Sequence, residues 1–245
     1  MKKFTFVCLS VACVAALLVV EPAFAGPGGK IASAVFESFW GKVVLGLLVI
    51  IFAPLIIYTL VKEKIAERRA RRDLRFMAAY DAQFDWLAVQ ERVKDCFFRV
   101  HSGWEDENLA GVSDWMTSWY WQNQQSVHLN RWKKEGLINI CNVKKIVGLK
   151  PLLFVHRNQG QEHENSMLVV SITARMQDYL KERASSRIVE GSKRFKEVET
   201  VWSFTFEQGS WKVSDIEDGS RSLDYANMVT ELPAIESTVV SDLRA

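Results

Sequence analysis

The sequence predicts an α+β fold, with helices packed on one face of a curved antiparallel sheet, preceded by a signal segment and one transmembrane helix. Three observations predict it. Residues 43–61 form an apolar run without one charge, followed by a basic stretch. Residues 76–136 place apolar side chains at three- and four-residue spacing, the period of a helix face. From residue 139 the spacing falls to two, with turn residues between the runs, as in antiparallel strands. Helices first and strands after them is the order of an α+β domain.

Residues 1–25 read as a signal peptide. Lys2 and Lys3 open it, Phe6 to Val20 is apolar, and Ala23-Phe24-Ala25 is a small-x-small cleavage pattern. Left uncleaved, the same segment would be a first membrane helix. Residues 43–61 are the transmembrane helix: at 1.5 Å per residue they span about 28 Å, close to a hydrocarbon core. Trp40 and Tyr58 stand near its ends, where aromatic side chains favour the interface.

Residues 62–75 form a basic juxtamembrane helix. Lys62, Lys64, Arg68, Arg69, Arg71, Arg72 and Arg75 outweigh Glu63, Glu67 and Asp73. Positive charge stays inside, so the domain that follows is expected on the cytoplasmic side of a bacterial inner membrane, whether or not the signal is cleaved. The same seven residues are candidates for contact with anionic lipid headgroups, a role compatible with simply setting topology. They leave residues 76–245 with a net charge of −4. A mildly acidic domain is a poor binder of nucleic acid, which is held mainly by phosphate neutralisation.

Trp86, Val89, Val93, Cys96, Phe97, Val100 and Trp104 make a helical core stripe. Ser113 and Asp114 read as the start of a second long helix that ends at Gly136. Residues 139–157 read as strand, with Pro151 marking an edge or bulge. Residues 158–165 are a polar turn. In 166–180, Leu168, Val170, Ile172, Ala174 and Met176 share one face, and residues 181–194 read as a charged connection. In 195–206, Val198, Trp202, Phe204 and Phe206 share a face. Residues 207–210 are a hairpin turn, and Trp211 to Ile216 is the last strand. The tail, 220–245, has weak periodicity.

Chemistry-bearing patterns are sparse. There is no Walker A, Rossmann, HExxH or GxSxG pattern. Cys96 and Cys141, without CxxC spacing, read as free thiols of a reducing compartment. His101 and His128 lie on helices without a four-residue partner, and His163 between Glu162 and Glu164 would need ligands from elsewhere to hold a metal. No cofactor is expected. Asp178 and Glu199 are strand carboxylates either of which could act as a pocket base if desolvated, and only Asp178 falls on the apolar face.

Three stretches resemble the Tim-44-like domain family: FDWLAVQERVKDCFFRVHSGWEDENLAGVSDWMTSWYW, INICNVKKI, and ARMQDYLKERASSRIVEGSKRFKEVETVWSFTFEQGSWKVSDIED. The last resembles the family's Asp-Tyr strand, Val-x-Gly turn, Glu-x-Trp-x-Phe strand and Trp-x-Val-Ser-x-Ile partner. Glu199-Thr200-Val201-Trp202 is one residue longer than that pattern, and the Gly-rich stretch upstream is only Gly26 to Gly29. The resemblance covers residues 76–219. It implies a nuclear-transport-factor-2-like cone with a hydrophobic pocket, in a membrane-bound adaptor that engages lipid and an unidentified protein partner and is not an enzyme. Trp115, Trp119, Trp202, Phe204 and Trp211 are then the candidates to line or close the pocket. Two alternatives share the fold class: an isomerase- or hydrolase-like enzyme using Asp178 or Glu199, and a secretion-system assembly subunit with a periplasmic domain.

Overall fold

The computed structural model describes residues 39–157 and 162–239. The signal segment and the end of the tail lie outside the described residues. The chain divides into two units, one ending at Val61 and one beginning at Lys62. Helix α1, Phe39–Met77, contributes to both.

In the first unit, α1 is long and apolar enough to cross a membrane. Leu47, Ile50, Ile51, Phe52, Leu55 and Ile56 are all exposed, as a lipid-facing helix requires. Pro54 lies within it.

In the second unit, the rest of α1 is amphipathic. Ala66, Ala70, Leu74 and Met77 recur at helical spacing and are buried. A turn leads to α2, Trp86–Glu105, whose N-terminus is capped by the Asp85 carboxylate accepting from the Leu87 amide. Its stripe of Val89, Val93, Cys96, Phe97 and Val100 is buried, as the spacing predicts. The second long helix does not begin at Ser113. Ser113 and Asp114 fall in a 3-10 turn, Ala110–Trp115, and Thr117 caps the helix instead, accepting from the Tyr120 amide. That helix runs as α3, Ser118–Gln124, a π turn, Gln125–Leu129, and α4, Asn130–Lys134. Gly136, at φ +71°, takes the left-handed conformation that ends it.

Four strands follow as an antiparallel meander: β1 Leu137–Val155, β2 Met167–Glu182, β3 Ile188–Glu207 and β4 Ser210–Asp218. Pro151 lies on β1, an edge strand, at a register shift, where a residue without an N–H is tolerated. The β3–β4 turn is Gln208-Gly209 with φ +55° and +73°, the two positive values a tight hairpin needs. The stretch 181–194 is largely strand rather than connection. Lys181 pairs with Ile188 and Tyr179 with Gly191, so β2 and β3 extend into an arm with a short turn.

The inner face of the sheet, toward α2, holds the main core. Leu168, Val170, Ile172, Trp202, Phe204, Trp211 and Val213 are at most 2% exposed there. The Trp202 ring lies 5.1 Å from that of Phe97, which locks α2 to the sheet. Val169, Val201 and Leu153 on the outer face pack with Ala66 and with Ala226 and Val229. The latter two belong to the tail, which among the described residues forms α5, Ser222–Met228, and α6, Ile235–Val239. Its weak periodicity reflects how few side chains it buries.

Candidate interaction surfaces

The five aromatic pocket candidates separate into three environments. Trp202, Phe204 and Trp211 are buried in the core, where they pack against Phe97, Phe84 and each other. Trp115 is half-buried. Its indole Nε1 donates to Asp95 at 2.7 Å, and the Arg99 guanidinium lies 4.8 Å from its ring. Trp119 stands apart, 70% exposed on the first turn of α3.

Trp119 stands there for a local reason. The Thr117 amide donates to the Val213 carbonyl of β4 at 2.9 Å, and the same residue's hydroxyl caps α3. Met116 and Tyr120 turn inward and are buried, which rotates residue 119 outward. Trp119 borders an open groove of about 480 Å³ lined also by Arg157, Met167, Thr205, Glu207 and Ser214.

The basic segment of α1 is only partly free for lipid. Arg69 donates to the carbonyls of Val229, Leu232 and Pro233 at 2.5, 2.8 and 2.7 Å and pairs with Asp73. Arg72 also pairs with Asp73, which is buried. Arg71 and Lys64 pair with Glu67, and the Arg71 guanidinium lies 4.7 Å from the Trp86 ring. Lys62 has internal partners. Arg68 and Arg75 are exposed and form no ion pair among the described residues.

The carboxylates do not converge. Asp178 continues the inner row of β2 but is solvent-accessible near the arm. Partial burial raises its carboxyl above the usual range, against a hydrogen bond from Asn139 and the charge of Lys196. Glu199 lies on the outer face, where the buried Ser171 hydroxyl donates to it at 2.5 Å. Burial pushes the Cys96 and Cys141 thiols up to about 12, so neither is a thiolate at neutral pH. His163 meets His156, Nδ1 to Nε2, at 3.1 Å. No group of three or more His, Cys, Asp or Glu that could hold a metal occurs among the described residues.

Sequence reasoning missed two features. The buried stripe of Ala66, Ala70, Leu74 and Met77 was visible as a helical period but is masked by the charges between. The arm was visible in the β-branched Ile188-Val189 and in Phe195, interleaved with basic residues.

A family model described as Tim44-like domain matches residues 70–218. No curated protein matches the sequence. Among solved structures, the intermembrane space region of chloroplast protein ARC6 is similar at 8% identity and a TM-score of 0.38, over 51% of this chain and 92% of that one.

Proposed function

This chain belongs to the Tim44-like domain family, and on that premise we propose that it is a membrane-anchored, non-enzymatic adaptor whose domain holds a protein partner. The observation that carries this reading is Trp119. A tryptophan 70% exposed beside a groove is costly to leave in water. Tryptophan is also among the residues that dominate interface energies, because it buries a large rigid surface at little entropic cost. The buried aromatics of the inner face serve the core, so the surface is where a partner would be gripped.

The apolar part of α1 is the anchor in this reading. The basic residues after it support a domain on the cytoplasmic side of a bacterial inner membrane, by the preference of positive charge for that side. Arg68 and Arg75 are the cations best placed for anionic headgroups, since Arg69, Arg71 and Arg72 are engaged within the domain. The enzyme reading finds less support: Asp178 and Glu199 face opposite sides of the sheet, and Glu199 is already bonded to Ser171.

The test is photocrosslinking in native membranes. A benzophenone side chain at position 119 should give a discrete protein adduct, and the same group at the exposed Lys134 should not. No adduct at 119, or the same pattern from both sites, would overturn the reading. Activity of a periplasm-dependent reporter fused at the C-terminus would overturn the cytoplasmic assignment.

A further inference from the structure

The arm formed by the ends of β2 and β3 is basic, exposed and incompletely paired. Residues 181–196 hold six basic and two acidic residues, within a stretch from 76 to 245 whose net charge is −4. The arm thus carries net positive charge within a domain that is acidic in sum, as does the stretch 131–157 with seven basic residues and one acidic one.

Pairing is incomplete there. β4 pairs with β3 only from Thr200 to Glu207. From Ile188 to Glu199, β3 has β2 on one side and no strand on the other among the described residues. The register jumps from Met176↔Lys196 to Asp178↔Ser192, so Lys193, Arg194 and Phe195 together face the single residue Gln177 and bulge outward. β1 is irregular at the same level, between Val143 and Lys145. The two irregularities bring Lys144 Nζ to 5.8 Å from the Phe195 ring. Gly191, at φ +81°, lets β3 cross close to β2. A Cβ there would lie 2.3 Å from the Asp178 carbonyl oxygen, so the arm's bend is built in.

The exposed side chains combine charge with apolar surface. Ile188 is 38%, Val189 49% and Phe195 38% exposed. Arg183 and Arg187 are spoken for by Glu107 and Glu182. Lys193, Arg194 and Lys196 form no ion pair among the described residues, although Lys196 acts on Asp178 from a distance.

We propose that this arm is the docking site for an acidic, extended segment of a protein partner, lying along the open half of β3. Its carboxylates meet Lys193, Arg194, Lys196 and Lys144, and its apolar side chains cover Phe195 and Val189. Charge complementarity selects the sign of the partner. A second copy of the arm is excluded, because like charges on an edge repel self-pairing. A flat anionic bilayer fits less well. The register shifts between Met176 and Asp178 and between Leu180 and Lys181 bend and twist the arm, and a plane follows a bent edge poorly. An unpaired backbone edge also gains nothing from hydrocarbon, whereas an extended peptide can pair with it.

This assignment deepens the adaptor reading and rests on it. The test uses the full chain in zwitterionic micelles, with a fluorescein-labelled decapeptide of alternating glutamate and valine followed by anisotropy. Saturable binding that weakens with salt is expected. The triple variant Lys193→Glu, Arg194→Glu, Lys196→Glu should weaken it about tenfold or more, since three attractions become repulsions. Phe195→Ala should weaken it several-fold, and the double variant Lys133→Glu, Lys134→Glu on α4 should leave it unchanged. Absence of saturable binding, an unaffected triple variant, or an equal loss from the α4 variant would overturn the proposal. So would a triple variant that loses affinity for phosphatidylglycerol vesicles and keeps it for the peptide. If the peptide fails while the position-119 adduct persists, the arm assignment alone falls; if both fail, the adaptor reading falls with it.

Discussion

Arg69 lies in the basic stretch that follows the apolar segment, where a cation would ordinarily be assigned to the membrane. Its guanidinium instead meets three carbonyl oxygens of the segment after α5, within 2.5 to 2.8 Å, and the buried Asp73. We predict that Arg69→Ala destabilises the fold. A hydrogen bond from a charged donor contributes about 1.5–3 kcal/mol net. Three bonds from one fork share a single desolvation and are not additive, so the expected loss is about 3 kcal/mol. Asp73 keeps Arg72 and is not left unpaired. For a domain of this size about 3 kcal/mol corresponds to a fall in Tm of about 6–12 °C.

The assay is urea unfolding of the full chain in neutral micelles, followed by tryptophan fluorescence. Amide exchange over residues 222–239 should rise in parallel, because those are the elements Arg69 ties down. Arg69→Lys should fall between, since an ammonium keeps the charge but loses the fork. Arg68→Ala and Arg75→Ala should leave the urea midpoint unchanged and each weaken binding to anionic vesicles about fivefold. If Arg69→Ala alters only vesicle binding and leaves both midpoint and exchange where they were, the structural assignment is refuted.

Three further perturbations address the core and the arm. Trp202→Ala empties a fully buried site against Phe97 and should cost about 3–5 kcal/mol in urea unfolding. Gly191→Ala places a Cβ against the β2 backbone at a positive φ. It should cost about 2 kcal/mol and raise amide exchange near residues 178–191. Burial pushes the His101 imidazole down to about 4 from 6.5. Between those values the unfolded chain binds the extra proton, so stability should fall as pH drops from 6.5, by about 1.4 kcal/mol per unit and up to about 3 kcal/mol near pH 4. His101→Phe should flatten that part of the stability–pH curve.

Much of this fold is legible in local patterns. The stripe on α2 and the alternation from Leu168 to Met176 each specify a buried face, because one side chain in two or in three and four must leave water. Gln208-Gly209 specifies a hairpin because few other pairs accept two positive φ values. The illegible parts depend on partners distant in sequence. Ser113 and Asp114 satisfy the local chemistry of a cap, yet Thr117 wins because its amide also bonds Val213 of β4. The arm reads as a connection because its strand-forming residues are diluted by charge, and pairing with β2 overrides that. Arg69 reads like its basic neighbours, since the carbonyls that claim it lie about 160 residues downstream. Among the candidate site residues, Trp119 was legible as an aromatic but not as the exposed one. Its direction follows from the burial of Met116 and Tyr120 on either side.

A boundary at residue 76 is natural from the sequence, because the charges stop there. Yet Ala66, Ala70 and Leu74 are at most 2% exposed, and they pack into both cores of the sheet. Helix α1 therefore changes its environment within one continuous element, from apolar on every side to apolar on one stripe. The cations sort with that stripe. Arg68 and Arg75, seven residues apart, share the solvent face, while Arg69 and Arg72 flank Asp73 beside the packed face. A fragment of residues 76–219 would lose the stripe, the Arg69 bonds, and α5 with Ala226 and Val229. Loss of Ala66, Ala226 and Val229 uncovers Val169, Val201 and Leu153 on the outer face, and loss of Ala70 and Leu74 opens the main core. Such a fragment should expose apolar surface, bind hydrophobic dyes and unfold without a cooperative transition, whereas one of residues 62–239 should unfold cooperatively. Cooperative, dye-free unfolding of the shorter fragment would show that the α1 stripe is a tether and not part of the fold.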